Sequence, residues 1–394
     1  MPQSIMMEQK EEQCCMSVEK HHETSTELIN GFTCTSNYCK ELIKNSLDLT
    51  AKELTNFPTE ILNFSQVTRL FLDHNDIETI PDSVQCIQGL QILSVTGNQL
   101  TELPDSIGCL ECLQELYLNE NEIFTLTDNI SNLTKLKILK LTANRLKQLP
   151  ESFGDLIQLT VLHIDENQLV SLPSTIGLLE SLEVLELCDN MIIDLPVSIG
   201  RLKSLKMFNM CNNKLDSIPE TLGDMPSLET IDLSENNIET LPMHFSSTVT
   251  LKKLFLDRNR ISSLPDWVSQ LDNIEELCAS DNHLFQQALT EKFGTTCKKV
   301  KVLDLGGNFM SSLPDSFGCL ENLEKLSLGS VIDELERRNF QDGNWISYLP
   351  YSFCDLINLK EIHLDENQIH ELPDDFGNLI NLEYLDIGRY WKYV

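Results

Sequence analysis

The sequence predicts an α/β solenoid, a single coil in which short parallel strands alternate with return segments. Three observations predict it. Asparagine recurs at Asn75, Asn98, Asn121, Asn144, Asn167, Asn190, Asn213, Asn236, Asn259 and Asn282, each step being 23 residues. The step becomes 26 at Asn308 and 36 at Asn344, then returns to 23 at Asn367. A Leu-Pro pair follows five residues after the asparagine in most copies, as at Leu103-Pro104, Leu149-Pro150, Leu172-Pro173 and Leu264-Pro265. Apolar residues hold fixed places in every copy. A unit of this length cannot bury its own apolar edge and needs a copy on either side.

Leu159 to Ser181 shows one copy in full. Its apolar positions are Leu159, Leu162, Ile164, Leu169, Leu172 and Ile176, and the spacing Leu-x-x-Leu-x-Ile-x-x-Asn-x-Leu is the leucine-rich repeat signature. The alternation in Leu162-His163-Ile164 has period two, so Leu162 and Ile164 point inward while His163 faces out. Asn167 sits where the chain leaves the strand, and its amide can satisfy backbone groups of its own turn and the adjacent one. Pro173 starts the return leg at no hydrogen-bond cost, and Ile176 plugs the core from the convex side. About fourteen such copies would form a horseshoe with a parallel concave sheet.

Size and charge narrow the function. The chain has 394 residues and a formal charge of −32. That charge argues against nucleic acid, whose phosphates need Lys and Arg, and against direct adsorption to anionic lipid. It favours basic protein partners. The polar start is no secretory signal, and no apolar run is long enough to span a bilayer. Thirteen scattered cysteines suit a reducing, cytoplasmic compartment better than a disulfide framework. The sequons at Asn63, Asn129 and Asn132 then read as chance, since glycosylation needs export.

In chain order, residues 1–35 read as a disordered tail. Cys14-Cys15 there are expected to be idle thiols, with palmitoylation and a peripheral plasma-membrane location as the alternative. Residues 36–46 are expected to cap the array, with a short helix over Tyr38–Lys44, and the solenoid to run over 47–394. Lys52 takes the asparagine slot of the first copy, Thr127 replaces a Pro, and Phe208 and Met210 take strand leucine places. Phe153, Phe245, Phe317, Phe353 and Phe376 are expected as core plugs. Phe285, Leu289 and Phe293 are spaced by four, which predicts a fuller helical turn. An insertion of about residues 329–343 leaves directly after a strand and is expected at the rim.

No catalytic motif is present, neither a phosphate-binding glycine loop nor a nucleophile elbow nor a zinc-protease helix. An enzyme is not expected, and no cofactor or metal is called for. Cys109-x-x-Cys112 lacks a second ligand pair. Cys188 and Cys211 fall at equivalent places in adjacent copies, and a reducing compartment favours free thiols over a bridge. The outward strand positions are the informative ones: Asp73, Tyr117, Asp165, Glu166, Glu186, Asp189, Asp232, Glu235, Phe255, Asp257, Glu276 and Asp304. Few cations oppose them, chiefly Arg69, Lys140, Lys253, Arg258 and Lys325. Like charges on neighbouring strands repel, so such a face is expected to bind a protein with a basic patch, and aromatics among charges suit interface anchors.

The consensus Leu-x-x-Leu-Pro-x-x-Ile-Gly-x-Leu-x-x-Leu-x-x-Leu-x-Leu-x-x-Asn resembles the intracellular class of leucine-rich repeats. Ile164-Asp165-Glu166-Asn167-Gln168-Leu169 and Leu222-Gly223-Asp224-Met225 are similar to LAP polarity scaffolds (leucine-rich repeat and PDZ proteins), though no PDZ part follows. A second resemblance is to the Ras-group scaffold that joins Ras to a phosphatase, without a clear docking motif for the phosphatase. These likenesses imply a non-enzymatic scaffold in intracellular signal transduction. The alternatives they imply are a cortical polarity component, or a targeting subunit of a phosphatase or small-GTPase complex.

Overall fold

The computed structural model describes residues 45–63, 66–247, 249–286, 288–330 and 343–388. The tail with Cys14 and Cys15, the predicted helix over Tyr38–Lys44, residues 331–342 of the insertion, and the final six residues lie outside the described residues. The chain divides into two compact units, residues 1–182 and 183–394.

In the first unit six strands of three residues each stack in parallel: β1 (Ser46–Asp48), β2 (Arg69–Phe71), β3 (Ile92–Ser94), β4 (Glu115–Tyr117), β5 (Ile138–Lys140) and β6 (Val161–His163). Each strand pairs with the next copy at the same repeat position, so Tyr117 lies opposite Lys140, and Lys140 opposite His163. The middle residue of each strand from β2 onward, Leu70 to Leu162, is fully buried. The flanking residues, buried Ser94 apart, stay at the surface, which is the period of two read in the sequence. Return legs are single 3-10 turns such as Asp105–Cys109 and Glu151–Asp155, and proline precedes most of them at φ near its ring-fixed value, −67° at Pro104 and −66° at Pro150. Ile107, Ile130, Phe153 and Ile176 plug the core from these turns, each fully buried. Adjacent turns touch so closely that a Cβ on Gly154 would lie 2.5 Å from the Thr175 carbonyl oxygen.

The second unit repeats the scheme. Its main sheet holds β7 (Val184–Glu186), β8 (Met207–Asn209), β9 (Thr230–Asp232), β10 (Lys253–Phe255), β11 (Glu276–Cys278), β13 (Val302–Asp304), β15 (Lys325–Ser327), β16 (Glu361–His363) and β17 (Tyr384–Asp386), all parallel. Phe208 and Met210 fill the leucine places and are fully buried. Phe317 and Phe353 are buried plugs whose rings stack with centroids 6.1 Å apart, whereas Phe376 is half-buried. Trp267 stacks on Phe245 at 4.5 Å and donates from Nε1 to the Pro242 carbonyl at 2.8 Å.

Asparagine joins copy to copy. In the first unit Asn167 accepts from the Leu146 N–H at 2.9 Å and donates to the carbonyls of Leu141, Ile164 and Asp165. Asn344 keeps the pattern across the long step, donating to Leu305 and Leu328. Asn75 through Asn344 in this series are all buried, and Asn367 is half-buried. The residue before the asparagine is left-handed in most copies, as at Glu120 (φ 54°) and Ala143 (φ 57°), and glycine takes the place at Gly97 and Gly307.

Two expectations need correction. The fuller helical turn expected here does form, as α1 over Glu291–Thr296, but of the three spaced residues it takes in only Phe293: Phe285 instead sits in β12 (Phe285–Gln286), paired with β14 (Phe309–Met310). Leu289 and Phe293 are buried while Phe285 is exposed, because only the residues nearer α1 face the core. Cys188 and Cys211 are not free thiols. Their register on adjacent copies puts the Cα atoms 4.7 Å apart, within disulfide reach, and the sulfurs are bonded.

Candidate protein-binding face

The strand face of the second unit carries the densest group of predicted site residues. In-register pairing sets Glu186, Asn209, Asp232, Phe255, Cys278 and Asp304 in one file, each on the next strand. Phe255 therefore lies between Asp232 and Cys278, with Asp304 one strand further. All are half-buried. A parallel file holds Lys253 and Glu276, ion-paired at 2.7 Å, and Lys325 with Glu361, at 2.9 Å. Among the described residues, neither Asp232 nor Asp304 has an ion-pair partner. Each is committed locally, Asp232 accepting from the Ser234 N–H at 2.9 Å and Asp304 from Gly306 at 3.0 Å.

Asp257 lies just past the end of β10. Its Oδ1 accepts from the Ser280 N–H at 2.8 Å and the Ser280 hydroxyl at 2.6 Å. Burial raises its pKa, the Ser280 bonds oppose that, and the charges of Asp304 and Asp232 add to it. The Cys278 thiol is likewise pushed up, first by burial and then by Asp257, Asp304, Glu276 and Asp232. In both groups burial is the largest cause, and the neighbouring carboxylates act in the same direction.

The remaining predicted residues divide by position. Glu166, Asp189 and Glu235 are not on strands: they occupy left-handed turn positions at φ 54°, 54° and 56°. Glu235 and Glu276 are neutralised by Arg258 (2.9 Å) and Lys253 (2.7 Å), exposed pairs that contribute little stability but reduce the free charge. In the first unit, Asp73 accepts from the Ser94 hydroxyl at 2.5 Å and the Thr96 N–H at 2.7 Å. Asp165 receives a longer bond from the Thr142 hydroxyl at 3.4 Å. Tyr117 donates to Glu115 at 2.8 Å, and burial with that carboxylate raises its pKa to about 12.

The family model described as leucine rich repeat matches residues 65–123, 111–169, 157–215 and 180–238, and a second model of that description matches 358–379. The chain is a leucine-rich repeat protein. Such proteins generally act in protein binding. No curated protein matches this one. Among solved structures, it is similar to a leucine-rich repeat protein of Leptospira interrogans, at 27% identity and TM-score 0.66, covering 89% of this chain and 98% of that one. It also resembles the plant peptide hormone receptor RGFR1, solved in complex with RGF2, at 26% identity and TM-score 0.67, covering 84% of this chain and 57% of the receptor's. An internalin of Listeria monocytogenes, at 20% identity and TM-score 0.64, covers 90% of this chain and 88% of that one and shares the fold.

Two further groups belong to the second unit of this leucine-rich repeat protein. His363, Asp365 and Asp386 place ligand-capable atoms within 4.8 Å of one another, a spacing a metal ion could use. His363 Nε2 lies 2.7 Å from Glu361. Buried Asp365 accepts from the Ser330 N–H at 3.3 Å. Away from the strand face, Phe285 and Phe309 stack at 5.3 Å and Trp345 packs on both, at 6.2 and 5.4 Å. That group was missed in the sequence, although its signal was there: aromatic residues one or three places after three successive ladder asparagines. No helix among the described residues is long and apolar enough to cross a membrane.

Proposed function

We propose that this protein is a non-enzymatic scaffold in intracellular signal transduction that docks proteins with basic surface patches on its strand face. The observation that carries the reading is the file Asp232–Phe255–Asp304, where an aromatic ring sits among carboxylates that lack ion-pair partners among the described residues. An aromatic anchor flanked by acids suits an arginine- or lysine-bearing surface, since the ring face attracts a cation and the carboxylates fix its position. The plant receptor solved with RGF2 supports polypeptide binding by this kind of array. The likeness to LAP and Ras-group scaffolds supports a small GTPase or a phosphatase as the partner class.

Charge reversal tests it. Asp232→Lys combined with Asp304→Lys should reduce recovery of the main partners in proximity labelling, while Phe255→Ala weakens the same set. An unchanged partner list from both variants would sink the reading.

A further inference from the structure

Three side chains that play no part in the docking reading meet at β16 and β17 of the second unit. Register sets His363, at the end of β16, beside Asp386, at the end of β17. Asp365 follows His363 by two residues. One ligand-capable atom from each of the three lies within 4.8 Å of the other two. Ser327 stands between Asp304 and His363 in the strand file, so the group is separate from the one around Phe255. An imidazole with two carboxylates is a donor set that first-row transition metals accept.

The imidazole is oriented from outside the trio. His363 Nε2 lies 2.7 Å from Glu361 Oε1, an oxygen that Lys325 also holds at 2.9 Å. A carboxylate facing Nε2 keeps the proton there and leaves the lone pair on Nδ1, which is how an outer carboxylate prepares a metal-binding histidine. The ring also packs on Tyr384, with centroids 5.1 Å apart. Asp365 is only 2% exposed, and a carboxylate is that deeply buried only where it is paired or coordinates a metal. Its Oδ2 takes the Ser330 N–H at 3.3 Å, and a Cβ on Gly329 would lie 2.0 Å from its Oδ1, so glycine is what admits the carboxylate. Asp386 gives Oδ1 to the Gly388 N–H at 2.9 Å and keeps Oδ2 for a ligand.

We propose that His363, Asp365 and Asp386 bind a divalent transition-metal ion, zinc being the one whose preference they meet. Zinc takes three nitrogen and oxygen ligands from a protein and leaves a fourth position for water. Calcium and magnesium ask for six or more oxygens and gain little from an imidazole. Zinc bonds of about 2.0–2.2 Å draw the three atoms inward. His363 and Asp386 are half-buried and can rotate to follow, while buried Asp365 is the fixed point. The bound ion ties β16 to β17.

The test is titration of the full chain, its exposed thiols alkylated, with zinc chloride against a chelating indicator, followed by cobalt substitution. Wild type should bind one more zinc than His363→Gln with Asp386→Asn. Glu361→Gln keeps all three ligands and should weaken the same site about tenfold. Circular dichroism should show both variants folded, since the replaced side chains are half-buried. Cobalt in the site should give visible bands without the thiolate charge-transfer band of a cysteine site, and excess magnesium or calcium should not displace zinc. Phe255→Ala should leave zinc affinity unchanged, so this site and the docking reading stand or fall separately. Equal zinc binding by wild type and the double variant, indifference to Glu361→Gln, a thiolate band, displacement by calcium, or zinc lost with Phe255→Ala would each overturn the proposal.

Discussion

The side-chain amide of Asn167 donates to the carbonyl of Leu141, 26 positions earlier, at 2.9 Å. Its oxygen is also the acceptor for the Leu146 N–H at 2.9 Å. Leu141 has a second donor in Asn144, so its carbonyl would survive the loss of Asn167. The buried Leu146 N–H has no such reserve. Asn167→Ala should therefore destabilise the protein by about 3 kcal/mol, most of it the stranded N–H. Asn167→Asp should be worse at neutral pH, because a carboxylate accepts but cannot donate to three carbonyls. Acid should recover part of that loss. Denaturant titration at two pH values measures both, and an Asp variant as stable as wild type at pH 7 would refute the role given to the amide.

The fold was legible because one copy states its own burial pattern and the period states its neighbours. Leu162, Ile164 and Asn167 could be placed from local alternation alone. The site was legible only in part. Glu166, Asp189 and Glu235 look like strand residues in a linear pattern, but these strands are three residues long and the residue before most of the asparagines is left-handed. Which carboxylates stay free depends on rotamers reaching the next copy, as in Lys253–Glu276 and Arg258–Glu235. The spacing of Phe285, Leu289 and Phe293 suited a helix, yet Phe285 pairs with Phe309 on the next copy, a register that no single copy encodes. Cysteine pairing failed for a different reason: compartment was used as the argument where register was decisive.

That register yields a prediction for Cys188 and Cys211. The bridge joins residues 23 apart, and loop closure of that length stabilises by roughly 3 kcal/mol in the chain-entropy account. Protein purified without reductant should give a Cys188–Cys211 linked peptide after alkylation and digestion, while exposed Cys109 and Cys319 are alkylated. Changing both Cys188 and Cys211 to Ser should lower stability by about that amount. Recovery of both cysteines alkylated in the native protein would show that the bridge does not form.

Asp257 gives the last prediction. Burial holds its folded pKa above the ordinary value of 3.8, and the charges of Asp304 and Asp232 push the same way. The folded protein thus binds this proton more tightly than the unfolded chain. Stability attributable to the group is greatest below 3.8 and declines as pH rises through the folded pKa, leaving a constant penalty at neutral pH. Asp257→Asn removes that penalty while an amide oxygen can still accept from Ser280. The chain already uses this solution at Asn119, whose Oδ1 accepts from the Thr142 N–H at 2.9 Å. The variant should be more stable than wild type at pH 7, and the gain should vanish near pH 3, which paired denaturant titrations would measure. A loss of stability at pH 7 would mean that the charged bonds to Ser280 outweigh desolvation and repulsion.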